Sequence, residues 1–406
     1  MNTWGSNIRI TLFGESHGSA VGAILDGVRP GLRIDEDFIA GELARRAPGR
    51  DEFSTARIEA DEPRIISGVK DGYSTGAPIA CIIENTNQHS GDYDSFLRPG
   101  HADLTGLLKY GRNVDRAGGG RFSGRLTAPL VWAGAICKLG LANAGIHVYG
   151  RIRDIAGAVA GQAGGIDLAG AAANADIPAI EKALARISGK PFPAADESEQ
   201  LFKDAILAAK HDGDSVGGII EVAVFGATAG LGEPFFGSVE STLSALYFSV
   251  PAVKGVEFGA GFQIANLRGS EANDPLRVAG EGEHRRVVSL TNNNGGILGG
   301  IANGMPLFAR VAIKPTASIA KEQDTVDPGS AEEGKETRAA DAALNTFVAP
   351  EEWKDVRAAV RGRHDPCILP RAVPVIEAVT AIGILDLLSV ALHTGRRRHE
   401  RAEAGK

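Results

Sequence analysis

The pattern of apolar and polar positions predicts the strands of the first part of the chain. Residues 8–13 alternate as a half-buried strand does, and residues 21–25 follow as a second strand before a glycine-proline turn. Residues 64–69 and 78–84 have the same β-branched character, and an Asp71-Gly72 turn signal lies between them. The pattern therefore predicts four strands, of which the last two are paired with each other.

Helical spacing appears first in residues 35–47. Its apolar positions, Phe38 among them, fall on one face, and its first residue is an aspartate suited to an N-cap. Two later stretches, 126–143 and 373–392, are apolar on most sides, which predicts helices that are buried.

Similar patterns recur later in the chain. Residues 216–220 repeat the valine-glycine-aliphatic sequence of residues 21–25, and residues 243–248 begin a helical segment. Further strands are predicted at residues 146–152, 253–258 and 307–313. The repeat is short, but it indicates two related halves, about 1–150 and 211–390.

The domain organisation follows from these segments. We predict a single domain over residues 1–395, with a peripheral insert at 155–210 that is solvent-exposed helix from residue 177 onward. Residues 321–345 are rich in charge and are predicted to be a mobile loop. Residues 396–406 form a basic tail.

Composition narrows the class of protein. The chain has 406 residues, of which 43% are apolar and 23% charged, as in ordinary soluble globular proteins. The net charge of −7 argues against general nucleic-acid binding, which needs a basic surface. Three cysteines without a Cys-x-x-Cys pair argue against a disulfide framework and a structural zinc site.

The sequence also predicts where in the cell the protein is located. The N-terminal residues have no basic region followed by an apolar core, so no signal peptide is expected. The longest apolar run, 378–392, is interrupted by Asp386 and is shorter than a bilayer span. We therefore predict a cytoplasmic protein.

The strongest candidate for chemistry is the stretch from residue 98 to residue 125. It holds many basic side chains and few carboxylates: Arg98, His101, Arg112, Arg116, Arg121 and Arg125. Three consecutive glycines, 118–120, allow backbone amides to approach a ligand closely, and guanidinium groups bind phosphate or carboxylate oxygens bidentately. Isolated arginines are more often solvated in a surface loop. The glycines and the histidine favour an anion-binding pocket instead.

Two further segments carry candidate chemistry. His17 stands near glycines at a predicted hairpin, where a histidine can donate a proton near neutral pH. A turn histidine that only hydrogen-bonds its own loop explains that spacing equally well. Residues 291–300 form a glycine-rich loop, and residues 314–318 follow a predicted strand and place lysine, threonine and serine where they could cradle a phosphate group. The sequence contains no nucleotide-binding fingerprint.

Several motifs occur in one order along the chain. They are Gly14-Glu15-Ser16-His17-Gly18, Arg98-Pro99-Gly100-His101-Ala102-Asp103, Gly119-Gly120-Arg121-Phe122-Ser123-Gly124-Arg125, Arg363-His364-Asp365-Pro366-Cys367, Arg371-Ala372-Val373-Pro374 and Glu377. Together they resemble the chorismate synthase family over most of the chain. The resemblance is weakest over about 155–210 and 320–360.

The resemblance implies an α+β fold, a layered β-α-β sandwich with internal pseudo-two-fold symmetry, assembled as a homotetramer. It implies a carbon–oxygen lyase that converts 5-enolpyruvylshikimate 3-phosphate to chorismate and phosphate. This is the last common step of the shikimate pathway to the aromatic amino acids. The reaction is a 1,4-anti elimination that requires reduced FMN although no net redox change occurs.

The resemblance also implies roles for individual residues. His17 would act as an acid at the substrate phosphate, His101 would lie against the flavin, and Asp365 would be the final proton acceptor near flavin N5. The substrate phosphate and carboxylates would be bound by Ser16, Arg46, Arg98, Ser123, Arg125 and Arg363. FMN would be bound by Arg121, Phe122, Ser123, Gly299, Lys314, Pro315, Thr316, Ala317, Ser318 and Arg363.

The chain departs from the family at one position. Glu52 stands where the family has an arginine, six residues beyond Arg46. Either Arg50 replaces that arginine or substrate affinity is altered. A desolvated carboxylate in an anion site is unfavourable, so Glu52 is expected to point to solvent.

Two other functions would use the same side chains. A phosphate-ester hydrolase would need a metal cluster or a nucleophile with a base, and an anion-binding module would leave His101 and Asp365 without a role. The sequence has neither a separate reductase domain nor a dinucleotide fingerprint. Reduced FMN is therefore predicted to come from an external source rather than from NADPH-dependent reduction by this chain.

Overall fold

The computed structural model describes residues 1–49, 53, 61–86, 96–159, 168, 176–282, 285–328, 353–360 and 365–404. The predicted substrate residue Arg363, together with Arg50 and Glu52, lies outside the described residues.

The first part of the chain forms a five-stranded antiparallel sheet and a small hairpin. The strands are β1 (Thr3–Trp4), β2 (Arg9–Gly14), β3 (Ala20–Asp26), β4 (Pro63–Ser67), β5 (Val69–Lys70), β6 (Tyr73–Ser74) and β7 (Ile79–Glu84). The sheet order is β1-β2-β3-β7-β4, while β5 pairs with β6 across Asp71 and Gly72, which both have a positive φ. The predicted strands and turn are confirmed. Because Gly14 pairs with Val21, the segment that contains His17 forms the tight turn between β2 and β3.

The later part forms a second five-stranded antiparallel sheet. The strands are β8 (His147–Ile155), β9 (Ala158–Val159), β10 (Gly218–Phe225), β11 (Val253–Phe258), β12 (Leu276–Ala279), β13 (Arg286–Ser289), β14 (Ile297–Leu298), β15 (Ile301–Ala302), β16 (Leu307–Ile313), β17 (Gln323–Asp327) and β18 (Lys354–Ala358). The sheet order is β11-β16-β10-β8-β9, and the other strands form two-stranded hairpins or pairs. The two segments that echo each other in sequence lead to β3 and β10, and each is the middle strand of its sheet. The division into related halves stays a prediction.

Helices pack on both sheets, and two of them lie between the sheets. They are α1 (Glu36–Arg46), α2 (Asp103–Tyr110), α3 (Thr127–Ala142), α4 (Ile177–Ser188), α5 (Asp196–His211), α6 (Val239–Ser249), α7 (Gly269–Ala272) and α8 (Leu369–Ala404). Helix α3 packs against β3 of the first sheet, and α8 packs against β8 and β10 of the second. The two helices approach closely, since a Cβ added at Gly134 would lie 2.2 Å from the Cβ of Ala378. This is the predicted layered β-α-β arrangement of an α+β fold.

The core helix α8 is longer than its predicted range of 373–392. Among the described helices, its segment Leu369–Leu392 is long and apolar enough to cross a membrane, yet 72% of its most apolar stretch is buried inside the protein. That burial is typical of a core helix. The N-cap of α1 is also as predicted, because Asp35 accepts a hydrogen bond from the backbone N–H of Phe38 at 3.0 Å. Phe38 itself is 38% exposed, so it does not belong to the buried face.

Two peripheral segments contain more structure than the sequence pattern indicates. Helix α4 is predicted to be exposed, but its Leu184 and Ile187 are buried on the outer face of the second sheet, against Phe225 and Phe308. Strand β17 lies at the start of the charged segment 321–345, where β18 supplies its backbone partners, and the mobility of that segment stays a prediction. That partner strand comes from much later in the chain, so local composition did not indicate it.

Candidate functional site

The triple-glycine loop lies between the two predicted catalytic histidines. The three glycines have φ values of 59°, 84° and 49°, which side chains other than glycine rarely adopt. A Cβ at Gly118 would lie 2.1 Å from Cε1 of His17, and a Cβ at Gly119 would lie 3.3 Å from Cε1 of His101. Both imidazoles therefore pack directly on this backbone, which brings the β2–β3 turn and the 98–103 loop together.

Replacing Gly118 by alanine is expected to lower the activity of the protein roughly 100-fold, because the added methyl group would displace His17 by an ångström or more. Gly124 is a matched control in the same loop, since it has no positive φ and nothing lies within 4 Å of an added Cβ. Turnover and thermal unfolding of both variants would be compared. Equal activity in the two would show that the packing of His17 on Gly118 is unimportant.

Ser16 also lies at this loop. Its backbone N–H donates to the carbonyl of Gly120 at 3.2 Å, and the residue is fully buried. Its Oγ has no hydrogen-bond partner within the described residues. Because buried hydroxyl groups are normally satisfied, this atom fits a site that receives a polar ligand.

Asp103 joins Arg98 and His101 into one cluster. Its carboxylate accepts two hydrogen bonds of 2.8 Å from the guanidinium of Arg98, and one of its oxygens lies 2.7 Å from Nδ1 of His101. Burial raises the pKa of Asp103, but these hydrogen bonds outweigh it and hold that pKa well below its ordinary value. In the sequence Asp103 appears only as part of a motif, although it follows His101 by two residues.

A second cluster contains Arg46 and Arg125. The Asp61 carboxylate accepts a hydrogen bond from Nη1 of each arginine, one on each oxygen. All three residues are buried: Arg46 is 2% exposed, Arg125 4% and Asp61 3%. Sequence reasoning missed Asp61, which lies 15 residues from one arginine and 64 from the other.

Asp365 is connected to that cluster through Arg371. Nη1 of Arg371 donates to the Asp365 carboxylate, and Nε of the same arginine donates to the backbone carbonyl of Arg46 at 3.1 Å. The predicted proton acceptor and the predicted substrate arginines therefore belong to one chain of polar contacts.

The predicted phosphate cradle lies beside the 98–103 loop. Nζ of Lys314 donates to the carbonyl of Gly100 at 2.7 Å, and a Cβ at Gly100 would lie 3.7 Å from the Cβ of Ala317. Burial, and then the charge of Lys254, lower the pKa of Lys314, so a nearby anion would be favourable. Oγ1 of Thr316 is buried without a hydrogen-bond partner among the described residues. An anionic ligand fits these groups.

The cradle has two further members with different exposures. Ser318 is 6% exposed, and Pro315 is exposed on the same loop.

The other predicted cofactor residues make contacts away from the cradle. Arg121 donates to Oδ1 of Asn2 at 2.5 Å, and its guanidinium lies 5.0 Å from the ring centre of Tyr110. The ring centres of Tyr110 and Phe122 are 6.3 Å apart. Ser123 accepts a hydrogen bond from the backbone N–H of Arg125 at 3.2 Å, which fixes the start of the short turn before α3.

Gly299 lies on a different loop from the cradle. It forms the turn between β14 and β15, and the next residue packs on Ser238 at the beginning of α6. The cradle instead follows the end of β16. There the backbone N–H of Lys314 donates to the carbonyl of Ala252, which lies beyond the end of α6. Seven residues of strand separate the two ends of β16, or about 20 Å. The assignment of Gly299 to the cofactor stays a prediction.

In the described ranges of the chain, no three or more His, Cys, Asp or Glu side chains form a group that could hold a metal ion.

Comparison with known proteins identifies the family. The family model described as chorismate synthase matches residues 8–346 and 335–389. The chain is 42% identical to a chorismate synthase from Archaeoglobus fulgidus, covering 96% of this chain and 97% of that protein. It is also 42% identical to one from Dehalococcoides mccartyi, covering 95% and 96% respectively. A solved structure described as the crystal structure of chorismate synthase superimposes with a TM-score of 0.66 at 27% identity, over 95% of this chain and 92% of that one. The chain belongs to the chorismate synthase family.

Proposed function

We propose that the protein is a lyase that converts 5-enolpyruvylshikimate 3-phosphate to chorismate and phosphate by 1,4-anti elimination, with reduced FMN as cofactor. The observation that carries the proposal is the convergence of the family's motifs around the triple-glycine loop. His17 and His101 pack on adjacent glycines there. The arginine clusters and the lysine cradle contact these loops, since Arg98 binds Asp103, Arg46 donates to the carbonyl of Gly124, and Lys314 donates to that of Gly100.

Substrate binding follows from the charge of these clusters. The substrate carries a phosphate and carboxylates, which guanidinium groups bind with two parallel hydrogen bonds. Arg46, Arg98, Arg125 and Arg363 would bind these groups. The Oγ atoms of Ser16 and Ser123 would add hydrogen bonds, and that of Ser16 is the atom that lacks a partner within the described chain.

The cradle suits the phosphate tail of FMN. Lys314, Thr316 and Ser318 offer one cation and two hydroxyl groups beside the 98–103 loop, and Arg121, Phe122 and Ser123 would bind other parts of the cofactor. When bound, reduced FMN supplies electron density that eases departure of phosphate.

Proton transfers are assigned to the chain's own side chains. His17 would donate a proton to the departing phosphate. Asp103 holds Nδ1 of His101 at 2.7 Å, which fixes the tautomer and orientation of that ring. Asp365 would accept the ring proton of the substrate, and Arg371 orients its carboxylate.

Binding of reduced flavin tests the proposal against the hydrolase and the anion-binding module. Under anaerobic conditions, the protein is expected to bind reduced FMN, and to bind it more tightly when 5-enolpyruvylshikimate 3-phosphate is present. The absorbance of the flavin would be followed in a titration. A protein that bound the substrate but never the flavin would contradict the proposal.

We extend the proposal to the cell. The enzyme would be cytoplasmic, would assemble as a homotetramer and would take reduced FMN from an external source. Turnover driven by NADPH in purified protein, without a reductase, would contradict the last point.

A further inference from the structure

We infer that Asp61 is a positioning residue that holds the two substrate-binding arginines side by side, an inference that rests on the proposed function. Its two carboxylate oxygens take one hydrogen bond each from Nη1 of Arg46 and Nη1 of Arg125. Asp61 comes from neither of the arginine motifs, and the resemblance to the family assigned it no role.

Charge explains why the pair needs this carboxylate. Two guanidinium groups that share a site away from water repel each other, because little solvent screens them. One carboxylate between them reduces the net charge of the cluster from two to one and attracts both groups to the same point. The remaining positive charge of the cluster favours an anionic group of the substrate nearby.

The other contacts of the two arginines lead to different side chains. Nε of Arg46 donates to Oγ1 of Thr127 at 3.1 Å, while Nε of Arg125 donates to Oδ1 of Asn85 at 2.9 Å. Arg46 also reaches the backbone beside Arg125, since its Nη2 donates to the carbonyl of Gly124 at 3.4 Å. Asp61 adds a charged side chain to which both guanidinium groups bond, so it contributes directly to their relative placement.

The backbone holds the carboxylate in place. Asp61 has a φ of 45°, in the left-handed region that aspartate and asparagine tolerate better than most residues. It lies two residues before β4, the edge strand of the first sheet. Residues kept in such sparsely populated conformations are concentrated at functional sites, and the rigid strand restricts how far the carboxylate can move.

Asp61→Asn is the first variant of the test, and Asp71→Asn is its matched control. Asparagine keeps the shape and the left-handed backbone but removes the charge and turns an amide N–H group toward one arginine. We expect the KM for 5-enolpyruvylshikimate 3-phosphate to rise roughly 10- to 100-fold, with a smaller fall in kcat. Asp71 also has a positive φ, 52°, but is exposed in a hairpin turn, so its variant should behave as wild type.

Asp61→Gly is the second variant, because glycine accepts the same φ and leaves space for a small carboxylate. Added formate is expected to restore part of the lost affinity, whereas chloride at the same ionic strength is not. A side chain that only stabilised the fold would not show this selective recovery of KM. If Asp61→Gly folded normally and formate did not restore its affinity for the substrate, the inference would be overturned.

A binding measurement separates this inference from the proposed function. Protection of the protein from thermal unfolding by 5-enolpyruvylshikimate 3-phosphate, without flavin, reports affinity independently of turnover. If the wild-type protein is protected and forms no chorismate, the proposed function fails, and loss of protection in Asp61→Asn still supports the role of Asp61. If the wild type forms chorismate and Asp61→Asn keeps normal KM and protection, the inference fails and the function stands. A wild-type protein that neither binds nor turns over this compound would refute both.

Discussion

The Asp365→Asn variant is expected to lose turnover by about 10²- to 10⁴-fold, while it still binds FMN and 5-enolpyruvylshikimate 3-phosphate. The reason is chemical, since an amide has the shape of the carboxylate but cannot accept a proton at neutral pH. Arg371 donates to the Asp365 carboxylate, and the amide oxygen can still receive that hydrogen bond. The local structure should therefore survive the change. Turnover would be measured with chemically reduced FMN, and binding by titration of each ligand.

Asp324→Asn serves as the control, because its side chain is 93% exposed on β17. It should keep full turnover. If Asp365→Asn also kept full turnover, Asp365 could not be the final proton acceptor. If instead it lost ligand binding to the same extent as turnover, its role would be in binding rather than in proton transfer.

The Glu377→Gln variant is expected to have a free energy of unfolding about 3–5 kcal/mol lower than wild type. Glu377 lies on α8 and is fully buried. Its carboxylate receives hydrogen bonds from Arg45 at 2.7 and 2.9 Å and from Lys138 at 2.6 Å, on α1 and α3 respectively. Ser188 and the backbone N–H of Gly150 also donate to it. An amide would turn an N–H group toward these donors and would leave Arg45 and Lys138, both half-buried, with Glu42 as their remaining counter-charge.

Chemical denaturation at neutral pH would measure the loss for Glu377→Gln. Glu197, which is exposed on α5, offers a matched glutamate-to-glutamine control and should unfold as the wild type does. An equal, small effect in both variants would show that the buried carboxylate contributes little net stability.

Stability should also depend on pH through Glu377. Burial raises the pKa of this carboxyl, but the charges of Arg45 and Lys138 outweigh it and lower the pKa to about 2. A carboxyl with a depressed pKa in the folded state stabilises the protein fully above its ordinary value of 4.5 and loses that contribution as the pH falls toward 2. The difference in stability between wild type and Glu377→Gln should therefore shrink below about pH 4.5. A constant difference down to pH 3 would contradict this.

The layers of the fold were predictable because local pattern decides them. Strand β2 alternates in polarity, β3 is a short apolar run that ends at a turn, and α3 and α8 are apolar on most sides, so each segment indicates its own structure. The N-cap at Asp35 followed from the same local chemistry. The exposed Phe38 shows the limit of such patterns, since spacing alone does not state how wide the buried face is.

The partners of the site's charged groups were not predictable in the same way. Arg46, Arg125 and His17 were identified from motifs, but the carboxylate of Asp61 reaches the arginines only after the chain has folded. Strand β17 likewise depends on a partner from a distant segment. Contacts between residues far apart in the sequence leave no periodic signal. The sequence therefore indicated which charged residues belong to the site, and the structure showed which residues they contact.

The most direct test of the function is an anaerobic assay with 5-enolpyruvylshikimate 3-phosphate and chemically reduced FMN. Chorismate would be followed by its absorbance and phosphate by a coupled measurement in the same samples. We predict equal amounts of chorismate and phosphate with reduced FMN, and neither product with oxidised FMN. Phosphate without chorismate would contradict the account and would indicate a phosphate-ester hydrolase that uses the same pocket.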